Sequence, residues 1–285
     1  MVDHSIPIKV GPGSQPAEID GAEMDFMKMP SGMTTFEQPI IPEADEIVGL
    51  DEAIERTDLL LGKLQNHKIN DDAQIIGLND LDEKNREFFN QLLGEGEVSV
   101  QSNGDIDALI QESVLAGVWR VQYVNQDKQI VSDTIEIGRI PSIVTDSTFT
   151  NAAENIDLDN LTIPDNLNNS LPLLAEINDH LPEQDDNQEA HVINLSLLPH
   201  TEEDLMFLSD SLGIGPIIIL SRGYGNCRIS STQTKNVWWV QFFNSQETLI
   251  LNTIEVAKVP AVACASQEDI EDSASRLVEI LSIYQ

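Results

Sequence analysis

A chain of 285 residues with 41% hydrophobic content is long enough for two ordinary domains and apolar enough to bury a core. Its 49 acidic residues against 15 basic ones give a formal net charge of −34, which repels phosphate backbones and anionic lipid. Nucleic acid and membrane are therefore not expected as partners, and a basic protein is favoured.

The opening stretch MVDHSIPIKVGPGSQPAE has no charged segment followed by an apolar one, and no apolar run approaches the roughly 20 residues that span a bilayer, so the chain reads as cytoplasmic. Residues 1–42 read as an extended arm rich in Gly, Pro and Met, with Met24, Met27, Met29 and Met33 crowded into MDFMKMPSGM. Such flexible, polarisable side chains suit an adaptable binding surface; the alternative is an arm packed on its own domain. A helix follows in EADEIVGLDEAIERTDLLLGKLQ, with Ile47, Leu50, Ala53 and Ile54 on one side.

Residues 43–150 form a first α+β unit: a short strand in AQIIGL, a helix in DEKNREFFNQLLG with a glycine at its end, a strand in EVSVQS, then two longer strands joined at NQDK. An acidic linker, 151–190, carries one helix at about 170–180. The second unit, 191–285, repeats the order as HVINLSL, TEEDLMFLSDSLG, PIIILS and two strands joined at NSQE. The C-terminal SQEDIEDSASRLVEILSIY reads as a helix with Ser266 as N-cap and Ile270, Ala274, Leu277, Val278 and Leu281 as its apolar stripe, closing the second unit.

The two units match without gaps at an offset of 119 residues: Val118, Trp119, Val121, Gln122 and Asn125 fall on Val237, Trp238, Val240, Gln241 and Asn244, and Thr134, Ile135 and Glu136 on Thr253, Ile254 and Glu255. The fold class is accordingly α+β by internal duplication, each unit a mostly antiparallel sheet packed with helices. Strand alternation puts Trp119, Val121 and Tyr123, like Trp238, Val240 and Phe242, on one face, read as each unit's own core. On the other face Arg120 and Val124 give way to Trp239 and Phe243, which marks where the copies or a partner would meet. The shared Gln122/Gln241 and Glu136/Glu255 read as cross-strand hydrogen bonding.

Catalytic signatures fail one by one. GPGSQP and RGYGNC are neither Walker loops nor dinucleotide fingerprints and read as glycine turns. The histidines at 4, 67, 180, 191 and 200 lack ligand spacing, and neither cysteine, Cys227 or Cys264, sits in a CxxC pair. Cys227 beside Arg228 has the setting of a lowered thiol pKa but no histidine partner. No enzyme and no resident cofactor are expected.

Residues 222–276 resemble the C-terminal region of the HupH/HyaF/HoxQ family of hydrogenase expression/formation proteins, through Gly223, Tyr224, Gly225, Asn226, Cys227, Arg228 and Ile229, then Asn236 to Gln241, then Leu251 to Glu255. GPGSQP and MPSGM resemble that family's opening segment. The resemblance implies a chaperone-like accessory factor in maturation of an uptake nickel-iron hydrogenase, acting on the precursor of the small iron-sulfur subunit before twin-arginine export, with other accessory proteins as further partners. The surface assigned to that partner comprises Gly223, Tyr224, Gly225, Asn226, Cys227, Arg228, Trp239, Gln241 and Phe243 with Met27, Met29 and Met33. An alternative in the same pathway is handling of iron or an iron-sulfur cluster by Cys227 and Cys264.

Overall fold

The computed structural model describes residues 49–104, 107–181, 189–223 and 225–282. The methionine arm, Tyr224 and the first part of the expected N-terminal helix lie outside them. In chain order the elements are α1 (Asp51–Asn66), β1 (Gln74–Gly77), α2 (Glu83–Leu93), β2 (Val98–Asn103), β3 (Asp107–Glu112), β4 (Val118–Val124), β5 (Ile130–Ile137) and α3 (Ser142–Asp146). There follow α4 (Ser170–His180), β6 (His191–Asn194), α5 (Glu202–Leu212), β7 (Ile217–Ser221), β8 (Asn226–Ser231), β9 (Val237–Phe243), β10 (Leu249–Val256) and α6 (Gln267–Leu281).

All ten strands join one antiparallel sheet in the order β1-β5-β4-β3-β2-β7-β8-β9-β10-β6, so the fold is α+β and the two halves meet where β2 pairs with β7. The order reads alike from either edge. β3 begins at Asp107 and β8 at Asn226, β4 at Val118 and β9 at Val237, β5 at Ile130 and β10 at Leu249, a constant spacing of 119 residues.

Local chemistry explains these elements. Asp82 accepts from the Asn85 amide at the start of α2, while Thr201 and Asp204 form a full capping box on α5, as do Ser266 and Asp269 on α6. The β4–β5 and β9–β10 hairpins turn alike: Asn125 Oδ1 accepts from Asp127 and Gln129, and Asn244 Oδ1 from Gln246 and Thr248. Lys128 and Glu247 take φ of 59° and 60° in these turns, the left-handed region that the asparagine-held loop supports.

Several expectations are corrected. β3 and β8 were not expected as strands: DALIQE mixes polar and apolar residues on both faces, and NCRISS begins inside the RGYGNC stretch that reads as a glycine turn. α1 buries Ala53, Thr57, Leu60 and Leu64, a stripe further along the helix than the expected one. The conserved face is not two separate cores: Trp119, Val121, Trp238 and Val240 join Ile110, Ile229, Ile219 and Val100 in one cluster shared by both halves, covered by α3 and the 3-10 turn Ala261–Ala263. The divergent face is not where the copies meet, because each half covers it with helices, α1, α2 and α6 on the first and α4 and α5 on the second.

Nor does α6 close the second half. Its Ile270, Ala274, Leu277 and Leu281 pack with Leu60, Leu64 and Phe89 of the first half, Ser273 Oγ donates to the Ala116 carbonyl at 2.9 Å, and Arg276 donates to that of Val114. The exchange is reciprocal: Ile156, Leu158 and Leu161, which follow α3, pack into the second half's cluster, and Ala153 bridges to Thr234. Each half is completed by the other's trailing segment.

Candidate functional site

The residues singled out in the sequence divide between the two faces of β8 and β9. Antiparallel register sets Asn226 beside Phe243 and Arg228 beside Gln241 on the helix-bearing face, whereas Cys227 lies beside Phe242 on the opposite, inner face. Leu220 of β7 flanks Arg228, and Ser99 of β2 flanks Leu220; one step along, Ile218 lies against Gln101, and Gln101 against Leu109. Gln101 and Leu109 are exposed, and Ile218, Leu220, Gln241 and Phe243 are half-buried. The middle of the sheet therefore shows a strip of amide and apolar side chains between the two helix layers.

Gly223 and Gly225 stand at the end of this strip, exposed and joined by an isolated bridge, with Gly225 at φ 102° where a side chain would be strained. The Arg222 amide donates to the Glu97 carbonyl, which ties the loop to the first half. RGYGNC is thus only in part a loop. Its Asn226, Cys227 and Arg228 are already strand β8.

Three of the expected contact residues are withdrawn from the surface. Trp239 is 7% exposed, packs among Ile254, Leu205 and Leu208, and donates from Nε1 to Asn252 Oδ1 at 2.6 Å. Arg228 is buried, which lowers its pKa without discharging it. Cys227 is fully buried in the shared inner cluster. Burial, reinforced by the Glu255 carboxylate, pushes its thiol pKa up to about 12, the opposite of the activated thiolate that Arg228 as sequence neighbour suggested. The arginine points to the other face and cannot help it. Met27, Met29, Met33 and Tyr224 lie outside the described residues.

Among the described residues, the donor set does not fit a resident iron or cluster site. Burial also raises the Cys264 pKa against the opposing pull of Arg139, so neither thiol has the electropositive setting of an activated thiolate. Among the described residues, no group of three or more His, Cys, Asp or Glu side chains is placed to hold a metal. His180 and His191 do come together, rings stacked at 3.6 Å with His191 Nε2 at 2.8 Å from Glu176 Oε1, a pairing their sequence spacing concealed.

Sequence reading also missed Glu112. It lies at the end of β3, buried, with Oε1 accepting from the Gly117 amide at 3.2 Å, and burial together with Glu97 and Asp269 raises its pKa to about 7. Recognising β3 as a strand would have been the signal, since alternation then sends Glu112 inward.

The family model described as "HupH hydrogenase expression protein, C-terminal conserved region" matches residues 57–157 and 167–284. The hydrogenase expression/formation protein HoxQ of Cupriavidus necator is 42% identical over 281 residues, 98% of each chain. HupH of Rhodobacter capsulatus is 40% identical over 98% of this chain and 97% of its own. The hydrogenase-1 operon protein HyaF of Escherichia coli is 33% identical over 95% and 94%. A solved structure, hydrogenase expression protein HupH from Thiobacillus denitrificans, is 33% identical, covers 41% of this chain and 98% of its own, and superposes with a TM-score of 0.39. No described helix is long and apolar enough to cross a membrane. With the family region spanning both halves and relatives matching almost end to end, the chain belongs to the HupH family of hydrogenase expression/formation proteins.

Proposed function

We propose that this chain is a non-enzymatic, chaperone-like maturation factor for an uptake nickel-iron hydrogenase, and that it holds the precursor of the small iron-sulfur subunit in the cytoplasm before export. The observation that carries the reading is the similarity to hydrogenase expression/formation proteins across 98% of both chains, strands and loop alike. The contact surface is the strip on β8 and β9, Asn226, Gln241 and Phe243 with Gly223 and Gly225, since these remain accessible where Cys227, Arg228 and Trp239 do not. Half-exposed aromatic and amide side chains on a rigid sheet suit a folding client, which needs apolar shelter with hydrogen bonding and no chemistry. The palindromic strand order and the constant spacing support descent of the two halves from one duplicated unit.

Deleting the gene and assaying the hydrogenase tests the reading. The expected result is loss of hydrogenase activity with unprocessed small subunit accumulating, restored by the wild-type chain and not by the double variant Gln241→Ala with Phe243→Ala. Normal processing in the deletion strain contradicts it.

A further inference from the structure

Among the described residues the sheet has two edge strands, and one of them together with the residues that lead into the other lines a single cleft. β1 and β6 each pair on one side only among the described residues. Ile75 of β1 and Ala190, immediately before β6, both line a cleft of about 980 Å³, at the upper end of ligand-site volumes. Its walls come from matching places in the halves: Arg139 follows β5 as Lys258 follows β10, and Asp72 precedes β1 as Glu189 precedes β6. On the edge strands, Ile75 and Val192 occupy equivalent positions, opposite Glu136 and Glu255, and are 54% and 49% exposed.

We infer that this cleft receives an extended, basic segment of a partner polypeptide, which adds to a sheet edge that no described strand pairs. Unpaired edge-strand amides and carbonyls are a template for another strand. Arg56 already donates to the Gly77 carbonyl at the far end of β1, so the open stretch of that edge is the end nearer the cleft. Charge selects the occupant. Asp71, Asp72, Asp146 and Glu189 line the cleft against Arg139 and Lys258, and Arg139 lies against the Cys264 thiol. The remaining negative potential, on a chain of net charge −34, repels a second copy of this chain and anionic small molecules, and attracts lysine or arginine side chains. Exposed Ile75, which lines the cleft, offers apolar contact to a side chain of a strand added there. The proposal rests on the client-binding reading only for the source of the segment.

The test titrates the purified full chain with a fluorescein-labelled nine-residue peptide alternating lysine and threonine, and with a twin in which glutamate replaces lysine, by fluorescence anisotropy. The basic peptide is expected to bind, the acidic twin not. Asp71→Asn, Asp72→Asn and Glu189→Gln together are expected to weaken binding about tenfold or more, and hydrogen exchange is expected to slow in Gln74–Gly77 or His191–Asn194 on binding. Should the triple variant melt early, the single Asp72→Asn and Glu189→Gln variants carry the same comparison with a smaller loss. Absence of basic-peptide binding, equal binding of both peptides, or unchanged affinity in the neutralised variants overturns the inference. Peptide binding by a chain that fails to retain the hydrogenase subunit keeps the cleft and removes the client reading; retention of the subunit without peptide binding does the reverse.

Discussion

The two halves solve the same packing problem with different chemistry. On the helix face of the first, Arg120 reaches diagonally across β4 and β5 to make a bidentate pair with Asp133, at 2.9 and 2.7 Å. At the same two places in the second, Trp239 donates to Asn252. A further pair of equivalents ties each half's leading helix down: Asn85 Oδ1 accepts from the Ala53 amide of α1, and Asp204 Oδ1 accepts from the Asn168, Asn169 and Ser170 amides and the Ser170 hydroxyl at the start of α4. Backbone geometry is kept while an ionic bond becomes a neutral one, and an amide becomes a carboxylate. Position therefore matters more than charge at these sites. The charges decide how each half responds to mutation and pH.

The largest effect expected follows from the exchanged segments. Ending the chain before Ser266 removes Ile270, Ala274, Leu277 and Leu281 from the first half's cluster, and hydrogen exchange in α1 and α2 should rise far more than in α4 and α5. Equal effects on both halves would show that α6 serves them alike. Within that cluster Leu277→Ala alone should cost about 2–5 kcal/mol in denaturant unfolding.

Breaking the ion pair comes next. Arg120→Ala leaves the buried Asp133 carboxylate without its bidentate partner and should cost about 3–5 kcal/mol; adding Asp133→Ala should recover part of that loss, because no orphan charge remains. Trp239→Phe, which keeps the ring and removes the N–H, should cost about 1–3 kcal/mol by leaving Asn252 Oδ1 unsatisfied. If the two halves lose the same amount, the contrast between ionic and neutral pairing has no energetic content.

Two carboxyls give opposite pH dependences. Glu112 is raised by burial to about 7, so the neutral form is native-like: its contribution is fully present below the ordinary glutamate range and is lost as pH rises through about 7. Glu112→Gln should therefore gain on the wild type with rising pH, by up to about 3 kcal/mol above pH 8. For Asp204, burial opposes ionisation, but hydrogen bonds from Thr201, Asn168, Ser170 and Asn169 outweigh it and hold the pKa well below the usual carboxylate range. Its stabilisation is present above the ordinary aspartate range and fades as pH falls. Asp204→Asn should cost about 1–3 kcal/mol at pH 7 and progressively less in acid. A parallel pH response of both variants would contradict these environments.

Much of this architecture was legible in the chain. Helical apolar spacing with caps at Ser266 and Gly94 and the asparagine turns at Asn125 and Asn244 are local signals, and the structure contains the elements they announce. What was not legible depends on where chains cross. Nothing in the α6 stripe says which half receives it, since an apolar stripe specifies burial without specifying a partner. The shared core and the separate helix layers were inverted for the same reason: similar residues on Trp119 and Trp238 fit two cores or one equally well. At the site, Cys227 and Arg228 looked like one reactive unit because they are neighbours in sequence, yet a strand sends neighbours to opposite faces.

The accessible strip on β8 and β9 is the part of the account on which the function turns. The most direct test is the affinity of the purified chain for the purified precursor small subunit, measured side by side with the Gln241→Ala, Phe243→Ala double variant after both are shown to melt alike. Binding by the wild type that weakens about tenfold or more in the variant is the predicted result. Absence of wild-type binding, or equal affinity for both forms, would contradict it.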